Sequence, residues 1–93
     1  MREKSLQTRI YRELNALPDC KALVTRGLEA GTPDIMGCHG GRMFLLEVKA
    51  GEYRPTAIQR YRMRQWREAG ALCAVADEAF CLSHFLRIEE DER

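Results

Sequence analysis

The sequence contains no long apolar run and no cysteine pair with metal-site spacing. No apolar stretch approaches the roughly 20 residues that cross a bilayer, and the charged segment 1–4 lacks the apolar core of a secretory signal. No two of the four cysteines are spaced as C-x-x-C: Cys20, Cys38, Cys73 and Cys81. We therefore expect a cytoplasmic chain of 93 residues, forming one domain, whose reduced cysteines pack as small apolar residues.

Net charge is also nearly absent, because two opposite charges cancel. The formal net charge is +1, but residues 1–76 carry 13 basic and 8 acidic side chains, whereas residues 77–93 carry 2 basic and 6 acidic ones. A basic body of net +5 with an acidic tail of net −4 differs from a neutral protein. The total is therefore no argument against a nucleic-acid partner.

The apolar pattern predicts a mixed α/β fold in the order α-β-β-β-α-β-α. Apolar residues recur at three- and four-residue steps in the first predicted helix, and glycine-rich or proline-containing segments separate the elements. Predicted helices cover residues 2–17, 55–69 and 77–87, and predicted strands cover residues 21–25, 34–38, 42–50 and 71–76. The first three strands can form an antiparallel meander, and the fourth, after a helical crossover, should pair in parallel.

The strand 42–50 changes character along one face. Phe44, Leu46 and Val48 form an apolar face, whereas the other face begins with Met43 and Leu45 and ends with Glu47 and Lys49. Charged residues at the end of a strand that is apolar on both sides favour a functional site. The alternative is a same-face salt bridge at an exposed sheet edge.

Asp34 lies on the predicted strand that pairs with this one. A hairpin would bring the carboxylates of Asp34 and Glu47 together, and Mg²⁺ or Mn²⁺ accepts such oxygen ligands. Lys49 would project from the same face, where an ammonium can orient or deprotonate an attacking water or stabilise phosphorane charge. The pattern therefore predicts phosphodiester hydrolysis. Alone, Pro33-Asp34 is equally typical of a turn.

These residues resemble the VRR-NUC family of the PD-(D/E)xK nuclease superfamily. The resemblance rests on three segments and a following glycine: Gly31-Thr32-Pro33-Asp34-Ile35, Phe44-Leu45-Leu46-Glu47-Val48-Lys49, Pro55-Thr56-Ala57-Ile58-Gln59, and Gly70. It implies a restriction-endonuclease-like fold, a metal-dependent endodeoxyribonuclease, and a stand-alone phage or bacterial type. It also implies that Asp34, Glu47 and the Val48 carbonyl bind the metal.

The resemblance further implies an acidic metal ligand on the first helix. Glu3 is our choice, because it shares the buried face of that helix, and Glu13 is the alternative. Gln59 lies on a mostly apolar helical stripe and is expected to point inward and support Lys49, a water or a phosphate. Its alternative role is to cap the helix or face water.

The segment 54–67 contains arginines but no acidic residue and no lysine. Arginines with interleaved tyrosines are typical of phosphate contacts and base stacking. The proposed DNA contacts are Arg54, Arg60, Arg62, Arg64 and Tyr53. A solvated helix face is the alternative, and Arg62 stands where the family often has an aromatic residue, so it could pack its stem instead.

So small a domain has little surface for reading sequence. We therefore predict cleavage of a Holliday junction or other branched DNA by a homodimer. The alternatives are a nicking or flap nuclease and a non-catalytic DNA-binding module that kept the fold.

Overall fold

The computed structural model describes residues 2–26, 28–51, 54–78 and 85. Two helices and a four-stranded sheet make up these residues, with the sheet order β1-β2-β3-β4. The elements are α1 (Glu3–Asn15), β1 (Cys20–Val24), β2 (Ile35–His39), β3 (Arg42–Val48), α2 (Ala57–Glu68) and β4 (Leu72–Ala76). The predicted mixed α/β class and element order are confirmed up to β4. The predicted helix 77–87 falls largely outside the described residues.

Helix α1 packs on the sheet through the side chains that its periodicity indicated. Leu6, Ile10 and Leu14 are completely buried. The helix ends at Asn15, two residues before the predicted end, and Asn15 turns its side chain onto β1. Its Nδ2 donates to the Ala22 carbonyl at 3.1 Å, and its Oδ1 accepts from the Ala22 N–H at 2.9 Å. The Asn15 amide thus satisfies the backbone N–H and carbonyl of Ala22, on a strand whose one described strand neighbour is β2.

Strands β1, β2 and β3 form the predicted antiparallel meander. A two-residue turn joins β2 to β3, with φ of 56° at Gly40 and 88° at Gly41. Positive φ at both central residues suits the right-handed twist of a hairpin, and glycine adopts it without strain. This turn sets the β2–β3 register, in which Ile35 lies opposite Leu46.

Helix α2 connects β3 to β4, which pair in parallel as predicted. Thr56 is the N-cap, and its hydroxyl accepts from the Gln59 N–H while the Gln59 side chain accepts from the Thr56 N–H. The predicted helix start at Pro55 is therefore two residues early. Gly70, with φ of 110°, follows the end of α2 and allows the chain to turn into β4.

The central strand β3 is covered on both faces. Phe44, Leu46 and Val48 belong to the larger core beneath α1, and Leu45 packs beneath α2 with Met63. Every residue of β3 from Phe44 onward is buried, including Glu47. The predicted apolar alternation is confirmed, and so a carboxyl group lies inside the α2-covered layer.

The remaining described features concern the chain after β4 and the cysteines. The Phe85 ring packs edge-on against Phe44, with centroids 5.3 Å apart and planes at 71°. Cys20, Cys38 and Cys73 form no disulfide, and Cys81 lies outside the described residues. Neither helix of the described part of the chain is long and apolar enough to traverse a lipid bilayer.

Candidate active site

The β2–β3 hairpin brings Asp34 and Glu47 together at its open end. Because Ile35 pairs with Leu46, the next position along each strand places Asp34 beside Glu47. Asp34 itself is not in β2, contrary to the prediction, because its strand begins one residue later. Its backbone carbonyl accepts from the Thr25 N–H at 2.9 Å, and its Oδ2 accepts from the Val48 N–H at 2.8 Å. Asp34 is thus held against the end of β3 from both its backbone and its side chain.

Glu47 is a buried acid without a compensating donor. Its side chain is fully buried, and neither carboxylate oxygen accepts a hydrogen bond from any residue that the structure describes. Burial first, and the neighbouring Asp34 carboxyl second, raise the pKa of Glu47 from 4.5 to about 9. Near neutral pH Glu47 therefore retains its proton, which it can donate to Asp34.

This pair fits a divalent metal ion. Two adjacent carboxyl groups, one without any hydrogen-bond donor, form a hard oxygen ligand set. A cation would replace the proton on Glu47 and offset the negative charges that both carboxylates then carry. The backbone of Val48 lies between Glu47 and Lys49, so its carbonyl is the nearest additional oxygen in sequence.

Lys49 completes the arrangement on the same side of the sheet. It is half-buried, its ammonium lowers the pKa of Glu47, and its N–H donates to the Ala76 carbonyl at 3.0 Å. The pairing with β4 therefore continues one residue past β3, and it holds the Lys49 backbone beside the end of β4. An ammonium beside the carboxyl pair is positioned to act on a water or a phosphate oxygen there.

The two acids of α1 differ in their surroundings. Glu3, in the first turn, is exposed, and its charge contributes to raising the pKa of Glu47. Glu13 accepts from Arg9 Nη1 at 3.1 Å, in an ion pair along the helix. Within the described ranges, no three His, Cys, Asp or Glu side chains gather at metal-binding distance. The structure thus brings the carboxyl groups of Asp34 and Glu47 together, and the exposed Glu3 does not join them.

A solved structure described as a VRR_NUC domain protein is similar to this chain. The likeness covers 98% of this chain and 87% of the other, with a TM-score of 0.69 and 16% sequence identity. This chain has the fold of a VRR_NUC domain. No family model matches the sequence, and no curated protein matches it significantly. The predicted restriction-endonuclease-like fold is confirmed.

Gln59 has a structural role in this VRR_NUC fold. Its Oε1 accepts from the Thr56 N–H at 2.8 Å, which closes the capping box of α2. Met63, on the same stripe, is buried, but the Gln59 amide is turned back onto its own helix start. Of the two roles considered from sequence, the structure places Gln59 in the capping one.

The remaining arginines predicted to contact DNA lie on the outer side of α2 or before it. Arg54 and Arg60 are exposed, and Arg60 Nη1 donates to the Pro55 carbonyl at 2.7 Å. The Arg64 guanidinium lies 5.6 Å from the centre of the Tyr61 ring. This face of the VRR_NUC fold presents cations and an aromatic ring together, whereas Tyr53 lies outside the described residues.

Arg62 differs from these arginines because its guanidinium contacts a carboxylate, a backbone carbonyl and a side-chain amide of the chain itself. Its Nε lies 2.6 Å from Glu29 Oε1 and 3.0 Å from the Ala30 carbonyl oxygen, and its Nη1 donates to Gln65 Oε1 at 3.0 Å. Its position on the mostly apolar stripe of α2 and the stem-packing alternative were the sequence signals for an inward orientation. Nothing in the sequence identified Glu29 as its partner.

Sequence reasoning missed two other features near the site. The Thr25 hydroxyl donates to the Pro33 carbonyl. Glu78, in the acidic segment, accepts from the Gly51 N–H at 2.8 and 3.1 Å, two residues after Lys49. Both contacts hold loops that flank the carboxyl pair, and the second joins residues 27 positions apart in sequence.

A second basic surface lies on the outer face of α1. An open groove of about 400 Å³ is lined by three cations and two hydroxyl-bearing side chains: Lys4, Ser5, Thr8, Arg9 and Arg12. Glu13 pairs with one of these cations, Arg9. The basic body of the chain therefore has positive surface on both helices.

Proposed function

We propose that this chain is a metal-dependent endonuclease that hydrolyses phosphodiester bonds in DNA. The observation that carries the proposal is the buried Glu47 carboxyl, which has no hydrogen-bond donor among the described residues and lies beside Asp34 and Lys49. Such a group costs free energy in the fold, and a binding-only module gains nothing from retaining it. The likeness in fold to a VRR_NUC domain protein, together with the position of Glu47 on the central strand, supports a nuclease rather than another hydrolase.

Each residue of the cluster has a separate task in this mechanism. Asp34 and Glu47, with the Val48 carbonyl and Glu3, would hold Mg²⁺ or Mn²⁺. When bound, the metal would lower the pKa of water and neutralise phosphate charge. Lys49 orients the attacking water, accepts its proton when neutral, or stabilises the charge that develops on the phosphorane oxygens when charged. Gln59 keeps the first turn of α2 in place.

The exposed arginines would position the DNA. Arg54, Arg60 and Arg64 bind phosphates without reading bases, and Tyr61 offers a ring on which an unpaired base can stack. We propose that the substrate is a Holliday junction or another branched DNA, cut by a homodimer of this chain. A nicking or flap nuclease uses the same cluster, and the substrate comparison below separates the two.

The test is cleavage of labelled DNA by the wild-type protein and a Lys49→Ala variant. Four-way junction, flap and linear duplex are each incubated with Mg²⁺, Mn²⁺ or EDTA. We expect metal-dependent cleavage of the junction by the wild type and a loss of at least 100-fold in Lys49→Ala. Lys21→Ala is the matched control, because Lys21 is exposed on β1. Equal cleavage by the Lys49→Ala variant refutes the mechanism.

Two further results bear on the proposal. If no substrate is cut with either metal while DNA still binds, the non-catalytic binding module is correct. The oligomeric state is measured by gel filtration with light scattering at micromolar concentration. A monomer under those conditions would contradict paired cutting by a homodimer but leave the single-strand chemistry intact.

A further inference from the structure

Arg62 connects α2 to the loop that precedes Asp34. The Arg62 side chain is 20% exposed, whereas that of Glu29 is 64% exposed, so the arginine is the more buried partner of this ion pair. Its Nε contacts both Glu29 and the Ala30 carbonyl, and Gln65 accepts from its Nη1. A planar guanidinium can satisfy several acceptors at once from a fixed position.

The loop itself is compact and pressed against α2. Thr32 donates to the Glu29 carbonyl from both its N–H, at 3.1 Å, and its hydroxyl, at 2.6 Å. Gly31 adopts φ of 85°, and a Cβ there would lie only 2.8 Å from Ile58 Cγ1 and 2.9 Å from the Ile58 carbonyl oxygen. The loop backbone can therefore lie this close to α2 only because Gly31 has no side chain.

Asp34 follows this loop and is held from its other side by Thr25, the residue after β1. The Thr25 N–H donates to the Asp34 carbonyl at 2.9 Å, and the Thr25 hydroxyl donates to the Pro33 carbonyl. Arg62 and Thr25 therefore fasten the segment 29–34 at opposite ends. A metal ion needs its ligands at a fixed spacing, and these contacts hold the segment that carries one of the two carboxyl groups.

We propose that Arg62 is a positioning residue, which holds the 29–32 loop on α2 and thereby sets the spacing between Asp34 and Glu47. The inference rests on the proposed metal site. It assigns Arg62 to the support of that site rather than to a DNA phosphate. Groups that orient metal ligands commonly change metal affinity by 10- to 100-fold when they are removed.

The first measurement is Mn²⁺ affinity without DNA, by isothermal titration calorimetry. We expect Arg62→Ala to weaken Mn²⁺ binding about tenfold. Arg62→Lys should recover part of this loss, because lysine keeps the charge near Glu29 but lacks the planar fork. Arg64→Ala should leave Mn²⁺ affinity unchanged, because Arg64 shares the helix and the charge but has no described contact with the loop.

The second measurement separates positioning from phosphate contact. DNA affinity is measured in EDTA at several salt concentrations, since each lost phosphate contact lowers the salt slope by about 0.9 on duplex DNA. We expect the slope to fall for Arg64→Ala and to stay unchanged for Arg62→Ala. A fall for Arg62→Ala, or unchanged Mn²⁺ affinity, overturns the proposal.

The two proposals fail in different ways. If wild-type protein binds no Mn²⁺, the proposed function is wrong and the role of Arg62 fails with it. If wild-type protein binds Mn²⁺ and cuts DNA while Arg62→Ala binds Mn²⁺ equally well, only the role of Arg62 is wrong. Should Arg62→Ala not fold, Glu29→Gln removes the ionic partner while keeping the shape, and a smaller loss of Mn²⁺ affinity is expected.

Discussion

The proton on the Asp34–Glu47 pair makes metal binding and stability depend on pH in opposite directions. Glu47 ionises with a pKa of 4.5 when unfolded and about 9 in the fold. The folded protein without metal therefore holds a proton that the unfolded chain releases between these values. This contribution to stability is complete below pH 4.5, declines as the pH rises, and is lost above about pH 9.

The size of both pH effects follows from the binding or release of one proton. Between the two pKa values, the free energy of unfolding of the metal-free protein should fall by up to about 1.4 kcal/mol per pH unit. From pH 6 to pH 8 the loss is then up to roughly 3 kcal/mol, a large share of the stability of a small domain. Metal binding must expel the same proton, so its apparent Kd should improve about tenfold per pH unit, or about 100-fold from pH 6 to pH 8.

Calorimetry and urea unfolding test both parts. Titration of Mn²⁺ in two buffers with different ionisation enthalpies counts released protons, and we expect about one per metal near pH 7. Urea unfolding in EDTA at pH 6 and pH 8 gives the stability change. Glu47→Gln is the control: it keeps the shape and a donor toward Asp34 but cannot titrate. The chain has 2 histidines, and subtracting the variant removes their contribution.

Either of two results would show that Glu47 does not hold this proton. If wild type and Glu47→Gln show the same change in stability between pH 6 and pH 8, Glu47 is already ionised in the fold. Release of no proton on Mn²⁺ binding, at a Kd that is independent of pH, would lead to the same conclusion. Burial is the first cause of the raised pKa of Glu47 and Asp34 the second, so Asp34→Asn should reduce the step without abolishing it.

Three further predictions concern the scaffold and are checked by urea unfolding. Gly37→Ala should destabilise by about 1–3 kcal/mol, because a Cβ there would lie 2.5 Å from the Lys21 carbonyl oxygen and 2.5 Å from Phe44 Cζ; an unchanged midpoint would mean that both the β1 backbone and the ring move aside at no cost. Asn15→Ala should cost about 1–3 kcal/mol, since it strands the N–H and carbonyl of Ala22, and a loss below 0.5 kcal/mol would show that water replaces the amide. Ile10→Ala should cost about 2–5 kcal/mol by opening a cavity under α1, and a smaller loss would mean that the core collapses around it.

Local patterns were sufficient for the strands and helices of this fold. The alternation in β3 predicted which residues share a face of the strand, because successive side chains of a strand point to opposite faces. The Gly40-Gly41 turn predicted the hairpin, and the hairpin brought Asp34 and Glu47 together. The bounds were less accurate, because the ends of α1 and α2 depend on Ala16 and Thr56 as caps rather than on periodicity.

Residues with several possible partners could not be assigned in this way. Gln59 lay on an inward stripe, but a single rotamer turns its amide onto Thr56, and a helical stripe does not select rotamers. Arg62 was predicted to contact DNA because its neighbours are arginines. Its partner Glu29 is 33 positions away in sequence, and only the packing of the loop against α2 brings them together.

The sequence by itself determined the mixed α/β order, the buried central strand and the carboxyl pair with its lysine, because these follow from side-chain periodicity and one tight turn. Only the tertiary structure decided that Glu47 is buried without a donor, that Arg62 supports the loop and that Gln59 caps α2. Burial and long-range hydrogen bonds depend on which elements pack together. Periodicity within one element carries no information about the partner on the next.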